Sequence, residues 1–270
     1  MIINAFIDEK ITELLLIGNA QTMKQTFLLF LLAISHLSFV FDSETISLQD
    51  GLVAHYNFND CDARDISGND SDGLLFGEVT CWCGIEDDGL LLDGVNDYVE
   101  FHGAVNRYFT TSDFTLSFFI RTDQYSFYEQ SLFSKREDCK EDFVLDFLLN
   151  RNQKKINTLV QQSEYKKYQD ISPDIEEGGW YHITLVREGQ EAHTYINGIM
   201  QKSVKRCSGV DLSNEAVLSF SNSPCLDGKV QRFKGILDEV RVYDRALSEE
   251  EVEAIYSLTP IEKAYSDCMM

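Results

Sequence analysis

The chain has 270 residues, of which 44% are hydrophobic and 25% are charged, and it contains only three prolines. This composition is that of a folded globular protein and excludes a collagen-like or largely disordered chain. The 45 acidic residues against 23 basic ones give a net charge of −22, which argues against a nucleic-acid surface, since phosphates are bound through clustered Lys and Arg.

An apolar segment of fifteen residues spans positions 27–41 and directly follows a short stretch that contains Lys24. A basic residue before a short apolar run is the pattern of a secretory signal peptide, and a bilayer span needs about 20 apolar residues. We therefore predict a signal peptide over residues 23–41 that starts at Met23, with residues 1–22 as an upstream extension of the reading frame. The alternative is an uncleaved signal anchor, which would keep the protein attached to a membrane.

All seven cysteines follow this apolar segment. Behind a signal peptide they indicate disulfides, and an odd number leaves at least one cysteine unpaired or paired between chains. The predicted pairs are Cys61 with Cys81 or Cys83, and Cys207 with Cys225. Cys268, in the tail, is the expected unpaired residue. A zinc site at Cys81 and Cys83 is the alternative, although their spacing is C-x-C and no second ligand pair follows.

Segments of strand length, rich in aromatic and β-branched residues, follow one another from residue 52 onward. Clusters of Gly, Asp, Asn and Ser separate them, and Asn197-Gly198 is a strong signal for a tight β-hairpin. The predicted strands are 52–58, 98–101, 114–121, 143–149, 180–187, 192–196, 199–204, 216–220 and 235–243. Short strands at this spacing predict an all-β fold, an antiparallel two-sheet jelly-roll sandwich.

One short C-terminal helix is predicted where Ser248 and Glu251 have the spacing of a capping box. An apolar stripe at helical spacing follows it. No Pro-rich or Gly/Ser-rich linker interrupts the strand region. We therefore predict one domain over residues 50–258, followed by a tail over residues 259–270.

Six segments of the chain stand in an order that is typical of a known superfamily. They are LVAHYNF at 52–58, DISGN at 65–69, LDGVNDYV at 92–99, FTLSF at 114–118, WYHITLV at 180–186 with YING at 195–198, and GILDEVRVYDRALS at 235–248. With these segments the chain resembles the laminin-G-like, concanavalin A-like jelly-roll superfamily, which includes pentraxins and many lectin modules. The resemblance implies a scaffold that binds glycans or protein surfaces, mostly without catalysis. It also implies that the first and last strands pair, which would bring the loop of Asp65 near Asp238.

The loop at 65–73 offers three carboxylates and one amide within nine residues. Carboxylate and carbonyl oxygens are the ligands that calcium prefers, and the resemblance implies a structural Ca²⁺ where this loop meets the closing strand. We predict Asp65, Asn69, Asp72 and Asp238 as its ligands. The alternative is an Asx-rich turn that is capped by its own side chains.

Two aromatic pairs, Tyr125 with Tyr128 and Tyr165 with Tyr168, fall between predicted strands. Aromatic rings in loops can stack on sugar faces, so we predict these four as ligand-binding candidates. Packing of the rings over the edges of the sandwich is the alternative.

Some glucanases share this jelly roll, so a glycoside hydrolase with an atypical site is an alternative function. Those enzymes use a Glu-x-Asp-x-x-Glu strand, and the chain has no such motif. Asp238 and Glu239 are adjacent in a strand and are expected to point to opposite faces, so that they cannot act on one bond.

We therefore predict a secreted, calcium-stabilised binding module that is not an enzyme. It would recognise glycans or cell-surface and extracellular proteins, as lectins and adhesion proteins do, and would bind no nucleic acid. A purely structural extracellular protein is a further alternative.

Overall fold

The structure is a computed structural model that describes residues 46–123, 127–140, 142–150, 154–205, 210–227, 229–261 and 264. The predicted signal peptide, the upstream extension and most of the predicted tail lie outside the described residues. Among the residues that are described, no helix is long and apolar enough to cross a membrane.

The regular structure of the described residues is almost entirely β-strand. Strands β1 to β16 are Leu52–Tyr56, Gly73–Phe76, Thr80–Cys83, Asp88–Asp93, Tyr98–Phe101, Phe114–Thr122, Glu129–Lys135, Val144–Asn150, Lys155–Ser163, Lys166–Ile171, Trp180–Glu188, Glu191–Ile196, Ile199–Lys205, Leu218–Phe220, Val230–Arg232 and Lys234–Tyr243. A 3₁₀ helix at Gly103–Arg107 follows β5, and helix α1 at Glu249–Leu258 follows β16. Each predicted strand is therefore present.

The strands form two sheets. The first has the order β13-β12-β11-β6-β16-β4-β3, with β1 paired to β16, and the second has the order β10-β9-β8-β7-β14-β5-β2, with β15 paired in parallel to β7. The other strand pairs are antiparallel, and β1 pairs with β16 from Leu52 opposite Tyr243. The predicted two-sheet sandwich and the predicted closure of first strand on last are confirmed.

Aromatic rings from both sheets interlock in the core. Phe118 of the first sheet lies 4.7 Å from Phe133 and 5.4 Å from Phe147, both in the second sheet, measured between ring centroids. All three side chains are fully buried, and burial of each contributes about 1.5–3 kcal/mol. Because side chains alternate between the two faces of a strand, the outer face of each sheet is available for polar side chains.

Helix α1 begins with the predicted capping box. Ser248 Oγ accepts the backbone N–H of Glu251 at 3.2 Å, and the Glu251 carboxylate accepts the backbone N–H of Ser248 at 2.8 Å. Val252 and Ile255 then pack against Tyr243 on the outer side of the first sheet. The helix therefore covers part of that outer face.

Cys61 and Cys81 form a disulfide, as predicted. The bond fastens the connection after β1 to strand β3, and it removes Cys81 from any zinc site. Cys83 is a free cysteine, whereas the predicted odd residue, Cys268, lies outside the described residues.

The predicted pairing of Cys207 with Cys225 is wrong, because Cys225 is bonded to Cys139. Strand β14 lies next to β7 in the second sheet. This brings the connection after β14, which carries Cys225, close to the connection after β7, which carries Cys139. Cys207 itself lies outside the described residues.

Candidate functional site

The carboxylate of Asp65 is saturated by hydrogen bonds from its own turn and from β1. Its Oδ1 accepts the backbone N–H groups of His55 at 3.0 Å and Ser67 at 2.9 Å, and its Oδ2 accepts those of Asn69 at 3.3 Å and Ser71 at 3.2 Å. Burial acts to raise the pKa of Asp65, but the hydrogen bonds from Ser67, His55 and Ser71 outweigh it and hold the pKa below its usual value. Asp65 thus acts as the cap of an Asx-type turn.

Asn69 and Asp72 are committed to the same turn. The amide Nδ2 of Asn69 donates to the backbone carbonyl of Leu52 at 3.0 Å, and Oδ1 of Asp72 accepts the backbone N–H of Asp65 at 2.8 Å. Three of the four predicted calcium ligands therefore come together, but their polar groups bind the backbone.

Asp238, the fourth predicted ligand, is hydrogen-bonded to a different turn. It is fully buried, and its Oδ2 accepts the backbone N–H of Ile85 at 2.7 Å, in the turn between β3 and β4. Burial and the neighbouring Glu239 carboxylate raise the pKa of Asp238 well above its usual value. Within the described residues, no three His, Cys, Asp or Glu side chains are grouped so as to hold a metal ion. The predicted ligands therefore do not fit a calcium ion.

The expectation that Asp238 and Glu239 point to opposite faces is wrong. The pairing of β16 with β6 shifts register between Asp238 and Arg241, and Glu239 has a φ of 51°, which together mark a β-bulge. The Glu239 carboxylate lies 2.9 Å from Nε2 of His55 and forms an ion pair with Arg241. Both acidic side chains are therefore on the outer side of the first sheet, where they are buried and held by neighbouring groups.

Tyr168 is not a ligand-binding residue. It lies within strand β10, is fully buried, and its hydroxyl is hydrogen-bonded to Thr194 of β12 in the other sheet. The period of two along β10 points its ring into the sandwich, so the prediction for Tyr168 is wrong.

The remaining aromatic candidates do not form one surface. Tyr128 is 46% exposed just before β7, and Tyr165 is 92% exposed just after β9. Strands β7 and β9 both pair antiparallel with β8 and so run in the same direction, which places Tyr128 and Tyr165 at opposite ends of the sheet. Tyr125 lies outside the described residues.

A groove opens at one end of the sandwich, between three connections. In the second sheet Leu218 at the start of β14 lies opposite Phe101 at the end of β5, and Ser219 lies opposite Ser134 near the end of β7. The connections that leave these strand ends therefore meet. They form two adjoining clefts of about 260 and 540 Å³ that share Glu137, Ser213 and Asn214.

These two clefts are termed the end groove. The larger cleft is also lined by Asn106, Arg107, Phe109, Thr110, Glu215, Ala216 and Val217, and the smaller one by Asp138, Lys140, Asp142 and Phe143. The larger cleft has the size of many small-ligand sites, which occupy about 300–1,000 Å³.

Lys135 fixes the floor that the two clefts share. Its buried Nζ donates to the backbone oxygen of Asn214 at 3.0 Å and to Oδ1 of Asn214 at 2.8 Å, and Nδ2 of Asn214 donates to the carbonyl of Phe143 at 2.9 Å. Burial lowers the pKa of Lys135 to about 8, against the raising influence of Glu215 and Glu137. The connection after β7 and the connection before β14 are thereby joined.

Two further side chains hold the opposite wall. Oδ1 of Asn106 accepts the backbone N–H of Leu218 at 2.7 Å. The buried guanidinium of Arg187 donates to the carbonyl of Thr110 at 2.6 Å and to that of Val210 at 2.5 Å. The walls are therefore fixed before a ligand binds.

The groove presents carboxylates, hydroxyls and the partly exposed aromatic ring of Phe143. Glu137 accepts the backbone N–H of Glu215 at 2.9 Å, and both of these exposed acidic residues line the larger cleft with Ser213. The ring of Phe143, 37% exposed, lines the smaller cleft. Carboxylates and hydroxyls accept hydrogen bonds from ligand hydroxyls, and a ring offers an apolar face. The groove therefore suits a ligand with many hydroxyls and one apolar side.

Sequence reasoning singled out none of these groove residues. Phe143 was predicted only as the first residue of a strand, and Glu137 and Glu215 are 78 positions apart. Only the pairing of the strands between them brings these connections together, so no local motif could have indicated the groove.

The sequence profile of the concanavalin A-like lectin/glucanases superfamily matches residues 93–253. The chain belongs to this superfamily. Among curated proteins, paraclostridial mosquitocidal protein 1 of Paraclostridium bifermentans is 27% identical over 235 residues, which cover 78% of this chain and 18% of that protein. The chain thus spans less than a fifth of the length of that relative.

Several solved structures share the fold. Domain 4 of AbnA, a GH43 extracellular arabinanase from Geobacillus stearothermophilus solved with arabinotriose, has a TM-score of 0.64 at 20% identity, covering 76% of this chain and 98% of that domain. The binding domain of paraclostridial mosquitocidal protein 1 has a TM-score of 0.62 at 22% identity, covering 78% of this chain and 52% of that one. The receptor binding domain of botulinum neurotoxin C/D mosaic serotype has a TM-score of 0.63 at 15% identity, with coverages of 78% and 52%. At these identities the likeness establishes the jelly roll alone.

Proposed function

We propose that this domain is an extracellular glycan-binding module and that the end groove is its binding site. The observation that carries the proposal is the larger cleft, about 540 Å³ in volume, whose walls are held by Lys135, Asn106 and Arg187. A preformed cavity with a few placed polar groups is the usual form of a small-ligand site.

The relatives support a binding role. The similar structures include one domain solved with arabinotriose and two binding domains of toxins. The two disulfides fit an extracellular location. We propose that the domain binds without cleaving, since the relatives of stated role are binding domains and the acidic pair of β16 is buried beneath its partners.

The test is a glycan array with the full chain, followed by calorimetry on the strongest oligosaccharide. Phe143→Ala should weaken binding about tenfold, because burial of the exposed part of this ring against the apolar face of a sugar contributes about 1.4 kcal/mol. Tyr165→Ala is the matched control, since Tyr165 is exposed outside the groove. Absence of any array signal, or equal losses in both variants, would contradict the proposed site.

Recognition of an extracellular protein is the second candidate. Trp82 is 57% exposed on β3, the edge strand of the first sheet, and an edge strand offers backbone groups to which an extended segment can add. The exposed Glu86, Asp87 and Asp88 at the end of this hairpin favour a segment that carries Lys or Arg. On this candidate, Trp82→Ala would weaken capture of such a partner while glycan binding stays unchanged.

A further inference from the structure

We propose that the end groove selects amino sugars, whose units carry an ammonium group, over neutral and anionic sugars. This inference rests on the proposed glycan-binding function and adds the class of sugar. It follows from which charged side chains line the groove and which are buried behind its walls.

Two acidic residues line the larger cleft, Glu137 and Glu215. The backbone N–H of Glu215 donates to Oε1 of Glu137 at 2.9 Å, which makes the two residues neighbours. Both are exposed. Arg107 is the single cation that lines this cleft among the described residues. Two neighbouring carboxylates give a field that attracts an ammonium group and repels an anion.

Lys135 does not offer its ammonium to the ligand. Its Nζ donates twice to Asn214, and the residue is buried. The ammonium is therefore occupied by Asn214 and inaccessible to the ligand, although it offsets part of the charge of Glu137 and Glu215, both of which raise its pKa. An anionic sugar would find no buried cation to bind there.

The smaller cleft adds to the negative charge. Lys140 and Asp138 form an ion pair with each other at 2.7 Å, which satisfies both. Asp142 also lines this cleft, and no ion pair joins it to another described residue. The ring of Phe143 lies in the same cleft, so an ammonium and the apolar face of one sugar chain can be bound together.

The neutral groups favour a sugar over a basic peptide. Ser213 lines both clefts, and Thr110 lines the larger one, so the groove offers hydroxyls as well as carboxylates. Such groups pair with the hydroxyls of a sugar ring, which a lysine side chain lacks. A basic peptide is therefore kept as an outcome of the test.

The experiment is calorimetry on the full chain at pH 6, where an amine of this kind is protonated. The probes are three tetrasaccharides. One is built of glucosamine units, the second of neutral N-acetylglucosamine units and the third of galacturonate units. We expect glucosamine to bind about fivefold more tightly than the neutral form and galacturonate to bind most weakly. Added salt should reduce the difference, because these charges are exposed.

Glu137→Gln and Glu215→Gln should each remove most of the preference for glucosamine while binding of the neutral form stays within about twofold. Glutamine keeps an oxygen that can accept the Glu215 N–H, and thermal melting verifies that each variant is folded. Glu253→Gln on helix α1 is the matched control, since it changes the net charge equally at an exposed position away from the groove. An equal effect of this control would overturn the inference by assigning the preference to overall charge.

The outcomes separate the two proposals. If no sugar of any class binds, the proposed function is wrong and the inference falls with it. If the three tetrasaccharides bind equally, the glycan-binding function stands and the selection is wrong. If a tetralysine peptide binds as tightly as the amino sugar, with the same dependence on Glu137 and Glu215, the groove recognises charge alone and the inference is overturned.

Discussion

The ammonium of Lys135 lies 2.8 Å from the side-chain oxygen of Asn214, although 79 positions separate the two residues in the chain. This bond joins the end of β7 to the connection before β14 and so forms the shared floor of the end groove. The buried ammonium has a structural role there, because its hydrogen bonds fix the connection before β14 against the end of β7.

Replacement of this lysine should therefore loosen the groove. Lys135→Met keeps the length of the side chain but removes the ammonium from both oxygens of Asn214, of which Oδ1 keeps the backbone N–H of Ala216. This loss should lower the free energy of unfolding by about 1–3 kcal/mol and weaken glycan binding. Urea unfolding measures the first effect and calorimetry the second. Lys166→Met, at an exposed position of β10, is the control and should change neither.

The pH dependence of the free energy of unfolding should report the ionisation of Lys135. Burial lowers the pKa of Lys135 to about 8 from a usual value of 10.5, so between these two pH values the unfolded chain holds a proton that the folded chain has lost. The free energy of unfolding should therefore rise with pH across this window. The rise is measured as the difference between the natural chain and Lys135→Met, which removes the common effect of other groups. Parallel curves for the two proteins would show that Lys135 titrates normally.

Calcium should leave the melting temperature unchanged. The oxygens of Asp65 accept backbone N–H groups, Asp238 is held by a different turn, and only an ion that binds the folded state raises stability. Thermal melts in millimolar calcium and in chelator should coincide. A calcium-dependent rise that disappears in Asp65→Asn would restore the predicted metal site.

Asp65 should contribute to stability as a cap. Asp65→Ala leaves the backbone N–H groups of His55, Ser67, Asn69 and Ser71 without an acceptor, and we expect a loss of about 1–3 kcal/mol by urea unfolding. Because the pKa of Asp65 is held below its usual value, this contribution is present above pH 4 and declines as the pH falls. Asp70→Asn is the control, since Asp70 is exposed in the same turn and asparagine accepts its φ of 55°.

The disulfide between Cys139 and Cys225 should matter to binding as well as to stability. Cys139 lies in the connection that carries Glu137 and Phe143, so its bond limits the freedom of a groove wall. The double variant Cys139→Ala/Cys225→Ala should lose about 2–4 kcal/mol of stability and several-fold in glycan affinity. Cys83→Ala, which removes a free thiol, should leave both unchanged; a double variant with undiminished affinity would show that the wall needs no tether.

The sandwich could be predicted because its central strands have a local signature. β6, β11 and β16 alternate or run apolar, as buried strands do. β7, β9, β10 and β15 were missed because they carry many Lys, Gln, Ser and Asn residues, so that their pairing in the second sheet, rather than their own composition, makes them strands. The bulge at Glu239 was missed for a similar reason, since nothing near it in the sequence marks the extra residue.

The candidate site could not be predicted from the sequence. The acidic loop at 65–73 has the residues that calcium uses, but the same oxygens cap a turn, and composition does not distinguish the two uses. The groove is built by bonds such as that of Asn106 to Leu218, across 112 positions. A contact of this kind exists only once the register of both sheets is known.

The pairing of Leu52 with Tyr243 determines how the domain would respond to mechanical force. A pull on these two residues acts at the same end of two antiparallel neighbours, whose hydrogen bonds run across the strands. The load then reaches those bonds one after another, so that β1 peels away instead of shearing. Peeling stops at Cys61, where the bond to Cys81 passes the load to β3. The stretch between the two cysteines cannot lengthen under tension while that bond lasts.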